Sequence, residues 1–262
     1  MSRYAARSVC ATLLVLGACS PERVAGPEDI GDLVVSAREV FPRNALGEPI
    51  VALRLATERI YPSISDYIEA ETSIDGRRIT ILTHRVVEPP IGLAAVGPAT
   101  YYVTIRATEG EYTLRVFRPR REIDEYRLVV TTAALELRPI RTRYTRPSPA
   151  RAWRYPRGSF VAACVAKAYL STGSPERCDE FRASLLAAVS LERIEFGESG
   201  EIPYLTSQTY PGYELRAEYY RYANEDDFAK VAAVVRAFGQ RHPGAPVWVQ
   251  NWRNEAHRSW LP

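Results

Sequence analysis

From Leu33 to Ile140 apolar and polar residues alternate with a period of two, and almost nothing in that stretch has helical spacing. Side chains of a strand point alternately to its two faces, so this alternation describes half-buried strands. Eight are expected: Leu33–Val40, Ile50–Ala56, Tyr67–Ile74, Arg78–Val86, Thr100–Ala107, Tyr112–Arg118, Tyr126–Thr132 and Ala134–Pro139. Asp75-Gly76 separates two of them and suits a two-residue hairpin turn, whose central positions need positive φ. Short strands at this spacing predict an antiparallel β-sandwich over residues 31–140.

Gly110 to Val116 reads Gly-Glu-Tyr-Thr-Leu-Arg-Val and resembles the late strands of immunoglobulin-like or transthyretin-like modules. That resemblance implies two packed sheets. The cysteine pair flanking a tryptophan, which marks true immunoglobulin domains, is missing. Residues 141–158, with Pro147, Pro149, Pro156 and several arginines, break the periodicity and predict a semi-rigid linker.

Residues 159–262 mix strand and helix patterns. Phe160 to Ala168 is a continuous apolar run, as in a central strand. Ser174-Pro175-Glu176 opens a helix with a capping hydroxyl, a proline and an acid, and places Phe181, Leu185, Leu186 and Val189 at helical spacing. Leu191–Phe196 and the tyrosine-rich Glu214–Tyr222 read as strands. Asn224-Glu225-Asp226-Asp227 caps a second helix striped by Phe228, Val231, Val234, Val235 and Phe238, and Pro246–Trp252 closes as a strand. The order β-α-β-β-α-β is similar to that of ferredoxin-like domains, which implies a four-stranded antiparallel sheet with both helices on one face.

The amino end carries an address. Arg3 and Arg7 precede a ten-residue uncharged run, Val9 to Ala18, about half the roughly 20 residues needed to span a bilayer. Leu16-Gly17-Ala18 followed by Cys19 resembles the lipobox of bacterial lipoproteins. The resemblance implies a signal peptide over 1–18, acylation of Cys19, a tether over 19–30 and a place in the bacterial cell envelope. Ser20 implies sorting to the outer membrane. The other reading is an ordinary secretory signal that leaves Cys19 as a free thiol.

Removing Arg3 and Arg7 takes the formal charge from +3 to +1, and only Lys167 and Lys230 are lysines, so no nucleic-acid partner is expected. With Cys10 removed and Cys19 acylated, Cys164 and Cys178 remain. In an oxidising compartment two such cysteines usually pair, the alternative being two separate buried thiols.

Catalytic and metal chemistry is thin. His84, His242 and His257 lack metal-ligand spacing, and Gly197-Glu198-Ser199-Gly200 is one residue short of a nucleophile elbow. No catalytic residue, metal site or cofactor is expected. An aromatic surface remains: Trp248 and Trp252 share one side of the last strand, and Tyr220 and Tyr222 share one side of theirs. If Val247 and Val249 face the helices, the tryptophans lie on the other sheet face, either packed on the first domain with Trp153 and Tyr155 or open as a groove for a peptide, a glycan or an envelope protein. The expected function is a membrane-anchored, non-catalytic binding protein. A purely structural envelope component and a hydrolase with an unrecognised site are the alternatives.

Overall fold

A computed structural model describes residues 30–42, 45–90, 92–93, 95–119, 122–167, 173–204 and 214–260. The signal segment and Cys19 lie outside the described residues.

The alternating stretch forms eight strands, β1 (Leu33–Val40), β2 (Ile50–Tyr61), β3 (Tyr67–Asp75), β4 (Arg78–Val87), β5 (Gly97–Ile105), β6 (Gly110–Phe117), β7 (Ile123–Val130) and β8 (Ala134–Arg141). They do not form a sandwich. Together with β9 (Thr145–Pro147) and β10 (Arg151–Trp153) they make one ten-stranded mixed sheet, in the order β10-β8-β7-β6-β4-β3-β5-β2-β1-β9. Three of its pairings, β1 with β9, β3 with β5 and β4 with β6, are parallel. Alternation specifies which side chains turn inward, but it is silent on which strands pair. Here the inward residues share one core because the sheet curls around them. That core holds Leu33, Val35, Leu53, Leu55, Ile79, Ile81, Leu114, Tyr126 and Leu128.

The curl is closed by residues expected to be a linker. β9 lies on β1 and β10 on β8, so the two edges of the sheet are joined through only Ser148, Pro149 and Ala150. Ser148 N–H donates to the Val35 carbonyl (2.9 Å), and Leu137 N–H donates to that of Ala150 (2.7 Å). Pro147 fits here because proline is tolerated on an edge strand. Asp124, buried on β7, fixes the approach to β9. Its carboxylate accepts from Arg143 N (2.9 Å), Tyr144 N (2.9 Å) and Thr145 Oγ1 (2.7 Å), and Tyr126 Oη lies 2.5 Å from the same hydroxyl.

The second sheet comprises β11 (Ser159–Lys167), β12 (Leu191–Ile194), β13 (Glu214–Tyr222), β14 (Val247–Asn251) and β15 (Ala256–Arg258), in the order β12-β13-β11-β14-β15. This differs from the expected four-stranded, ferredoxin-like domain with one open face. A fifth strand is added beyond β14, and the face turned from the helices is covered by Tyr155, Phe196 and Tyr204. On the other face lie α1 (Pro175–Ala188) and α2 (Asp227–Arg241). Ser174 Oγ caps α1 by accepting from Arg177 N. The α1 stripe is narrower than its spacing suggests: Phe181 and Leu185 are buried, whereas Leu186 is exposed. Cys164 on β11 and Cys178 on α1 form a disulfide with Cα atoms 5.5 Å apart, stapling strand to helix.

Burial raises the phenol pKa of Tyr126 and Tyr222 to about 12, and burial also raises those of Tyr155, Tyr204 and Tyr220. An acid whose folded pKa lies above its unfolded value stabilises the fold fully below the unfolded pKa, about 10 for tyrosine. That contribution is lost as pH climbs through the folded pKa. Stability is therefore expected to hold to about pH 10 and then to fall steeply. Absorbance at 295 nm should show a late group of phenols ionising together with loss of the near-ultraviolet circular dichroism; a smooth titration centred near pH 10 would contradict this.

Candidate functional site: a guanidinium cleft on the outer face of the large sheet

Of the four aromatic residues expected to form a binding surface, three belong to the helix-side core. Tyr220 and Tyr222 pack on Phe160, with centroids 5.7 and 6.2 Å away. Trp252 is 4% exposed and its Nε1 donates to Tyr222 Oη (3.1 Å). The parity argument fails for Trp252 because β14 ends at Asn251. The Asn251 side-chain oxygen accepts from Arg253 N and Glu255 N, turning the chain and folding the indole to the helix side. Trp248 alone lies on the far face, half-buried beside Tyr219 and Tyr204 and edge-on to Trp260. No open aromatic face joins these residues.

The histidines do not converge either. His84 lies 3.3 Å from Glu71, His242 2.8 Å from Glu180 and His257 3.0 Å from Glu255, each a separate pair. Among the described residues no group of three or more His, Cys, Asp or Glu side chains is placed to hold a metal ion.

A different site is assembled on the outward face of the large sheet. Ser36, Arg54 and Tyr102 are paired neighbours across β1, β2 and β5, so their side chains stand in one row. Arg38 stands two residues along on β1, on the same face. The opposite wall comes from the second unit. Glu201 bridges to Ala152 on β10: its N–H donates to the Arg151 carbonyl (2.9 Å), and its own carbonyl accepts from Trp153 N (2.8 Å). Gly200 must be glycine here. Its φ is +124°, and a Cβ would sit 3.1 Å from the Trp153 indole nitrogen and 3.3 Å from the Arg151 carbonyl oxygen. Between these walls and Ser148-Pro149 lies a cleft of about 610 Å³.

Charge in this cleft is incompletely neutralised. Arg38 reaches Glu201 only at 3.9 Å, and among the described residues no carboxylate pairs with Arg54. The Nε atoms of both arginines are enclosed without a hydrogen-bond acceptor in the protein. Arg54 instead lies over the half-exposed Tyr102 ring, 5.9 Å from its centroid.

A larger groove of about 750 Å³ runs between the two sheets past Trp153, Tyr155 and Phe196, but both arginines on its wall next to Tyr155 are already paired. Arg154 Nε donates to the buried Glu39 (2.7 Å), whose other oxygen accepts from Tyr155 N (2.8 Å), and Arg157 faces Glu48 at 3.6 Å. It is an interface more than a receptor.

Arg38, Arg54, Tyr102 and Glu201 were not legible as a site. Arg38, Arg54 and Tyr102 have the parity of solvated strand residues, Glu201 lies outside the strands, and only the strand order makes neighbours of positions 38, 54 and 102. Compared with protein-family models, curated proteins and solved structures, the chain matches none.

Proposed function

We propose that the chain is an exported, lipid-anchored, non-catalytic binding protein of the bacterial cell envelope. Cys19 is its acylated residue, and the cleft between Arg38, Arg54 and Glu201 is its receptor. The anchoring half rests on the order of basic start, short apolar run, small residues and cysteine at the amino end. A disulfide between the two cysteines of the body agrees with an oxidising compartment outside the cytoplasm. The binding half rests on one observation: two guanidinium groups line a roomy cleft in which, among the described residues, Arg54 has no carboxylate partner and Arg38 meets Glu201 only at 3.9 Å. Planar donor forks of this kind suit carboxylates, and the Tyr102 ring beside them gives an apolar edge to stack on. The ligand class is therefore a carboxylate-bearing peptide or glycan.

Titration calorimetry with an oligo-glutamate peptide and with a uronic-acid oligosaccharide tests the receptor. One of the two is expected to bind, with affinity falling about ten- to a hundredfold in Arg54→Ala, in line with a charge-assisted hydrogen bond, and weakening at high salt. Arg127→Ala, on the far strand β7, should bind as the parent does. Heat from neither ligand, or equal binding by the Arg54 variant, refutes the receptor. Mass analysis of protein from its native host tests the anchor: intact residues 1–18, or a Cys19 free of fatty acid, refutes it.

A further inference from the structure

We infer that the rim of the large sheet where the chain enters the body is a membrane-docking surface, resting on the bilayer to which the amino end is tethered. The inference rests on the lipid-anchor reading and adds to it an orientation and a second point of contact.

The rim is formed by two touching loops, β2–β3 and β4–β5. Leu93 N donates to Ser65 Oγ (3.2 Å), and a Cβ on Gly97 would sit 2.8 Å from Ile64 Cγ2, so the loops meet. They present apolar side chains to solvent: Val96 is 74% exposed, Leu93 62%, Ile60 57%, Ile64 48% and Tyr67 45%. Ile60 pairs with Pro98, and Tyr67 pairs with Thr100 on the same strand, which draws the five into one patch. Isolated exposed apolar residues need no account, but a gathered patch of them marks an interaction surface.

Two observations favour a bilayer as the occupant. The chain enters the body at this end: Asp32 carbonyl accepts from Glu58 N (2.9 Å), two residues before Ile60, and Leu33 N donates to Tyr144 O (2.9 Å). Eleven residue steps separate Cys19 from Ile30, a reach of at most roughly 40 Å, enough for an acyl anchor to bring this rim down to the lipid. Second, the β1–β2 loop at the opposite end is already occupied, since Gly47 N there donates to Arg253 O of the second unit (3.1 Å). Beside the patch Glu58 and Glu69 pair with Arg146 and Arg85, and the exposed Arg59 and Arg143 stand with the exposed acids Asp32 and Glu88, so the charge there is mixed and the apolar side chains carry the contact. Aliphatic residues with a tyrosine and flanking arginines are the mixture that settles at a lipid–water boundary, and a second contact steadies a lipid anchor.

The test uses the mature protein bound to vesicles of phosphatidylethanolamine and phosphatidylglycerol carrying a spin-labelled quencher lipid. A polarity-sensitive fluorophore is placed on Val96→Cys and, in a second preparation, on Asp75→Cys in the turn at the far end of the sheet. Position 96 is expected to shift to the blue and to be quenched several-fold more than position 75, and adding Leu93→Glu should abolish the difference. Equal, water-like emission at both positions of an acylated, vesicle-bound protein overturns the docking surface and leaves the anchor standing. A protein without acyl mass overturns the anchor alone. The labelled Cys19→Ser chain mixed with the same vesicles then decides the rim by itself, quenching at position 96 upholding it and no quenching sinking it. Self-association through the rim, seen as a sedimenting dimer that Leu93→Glu dissociates with no lipid quenching, also overturns it.

Discussion

An Asp124→Ala chain should unfold with about 3 kcal/mol less stability than the parent, read from the midpoint and slope of a urea transition. The carboxylate is buried and spends both oxygens on three donors: two consecutive backbone amides at Arg143 and Tyr144 and the Thr145 hydroxyl. Hydrogen bonds to a charged acceptor contribute about 1.5–3 kcal/mol each, and amides left without a partner add their own desolvation cost. The sum is held down by water reaching the partly exposed loop at Arg143. The loss has a location. Amides of Thr145 to Trp153 should exchange with solvent much faster, because Asp124 positions the turn that leads into the closing strands, while β3–β4 amides change little. Asp124→Asn keeps an acceptor and should lose less. A midpoint within experimental error of the parent would show that the strands close the sheet without this clamp.

Removing the disulfide should cost a similar amount. Replacing both Cys164 and Cys178 with alanine releases a loop of sequence separation 14, for which the chain-entropy model gives about 3 kcal/mol. The bridge also fixes the start of α1 against β11, so the penalty should appear as lower melting of the second unit. Treating the parent with a reductant should move its transition by the same amount, and the double variant should no longer respond to reductant. If oxidised and reduced parent melt together, the bridge is a passenger and α1 is held by Phe181 and Leu185 alone.

Much of the strand and helix inventory could be read from local pattern. The eight alternating strands stand within about five residues of expectation, Ser174 caps its helix, and the β3–β4 hairpin forms, although its two turn residues are Gly76 and Arg77 while Asp75 ends β3 opposite Arg78. These features depend on side chains close in sequence. Three things were not legible because they depend on distant partners. Strand order was one: nothing in β4 or β6 announces that they run side by side and parallel, and that pairing turns an expected sandwich into a single curled sheet. The closing strands were another, since Pro147 and Pro149 look like linker residues until an edge is available to receive them. The site was the third. Tyr222 obeys alternation and is buried under α2, Trp252 escapes alternation one residue after its strand ends, and Arg38 and Arg54 look like ordinary surface arginines until the sheet sets them facing Glu201.

The stitch between β1 and β8 also governs the order of events in synthesis. A chain that emerges amino end first offers β1 with one flank bare, and the segment that covers it arrives only when Thr145 has appeared. Hydrophobic strands with an unpaired flank invite association with neighbours, so this interval favours a carrier that keeps the polypeptide extended until release. Completion then depends on the last strands delivered, which makes truncation just before Thr145 far more harmful than loss of the entire second unit.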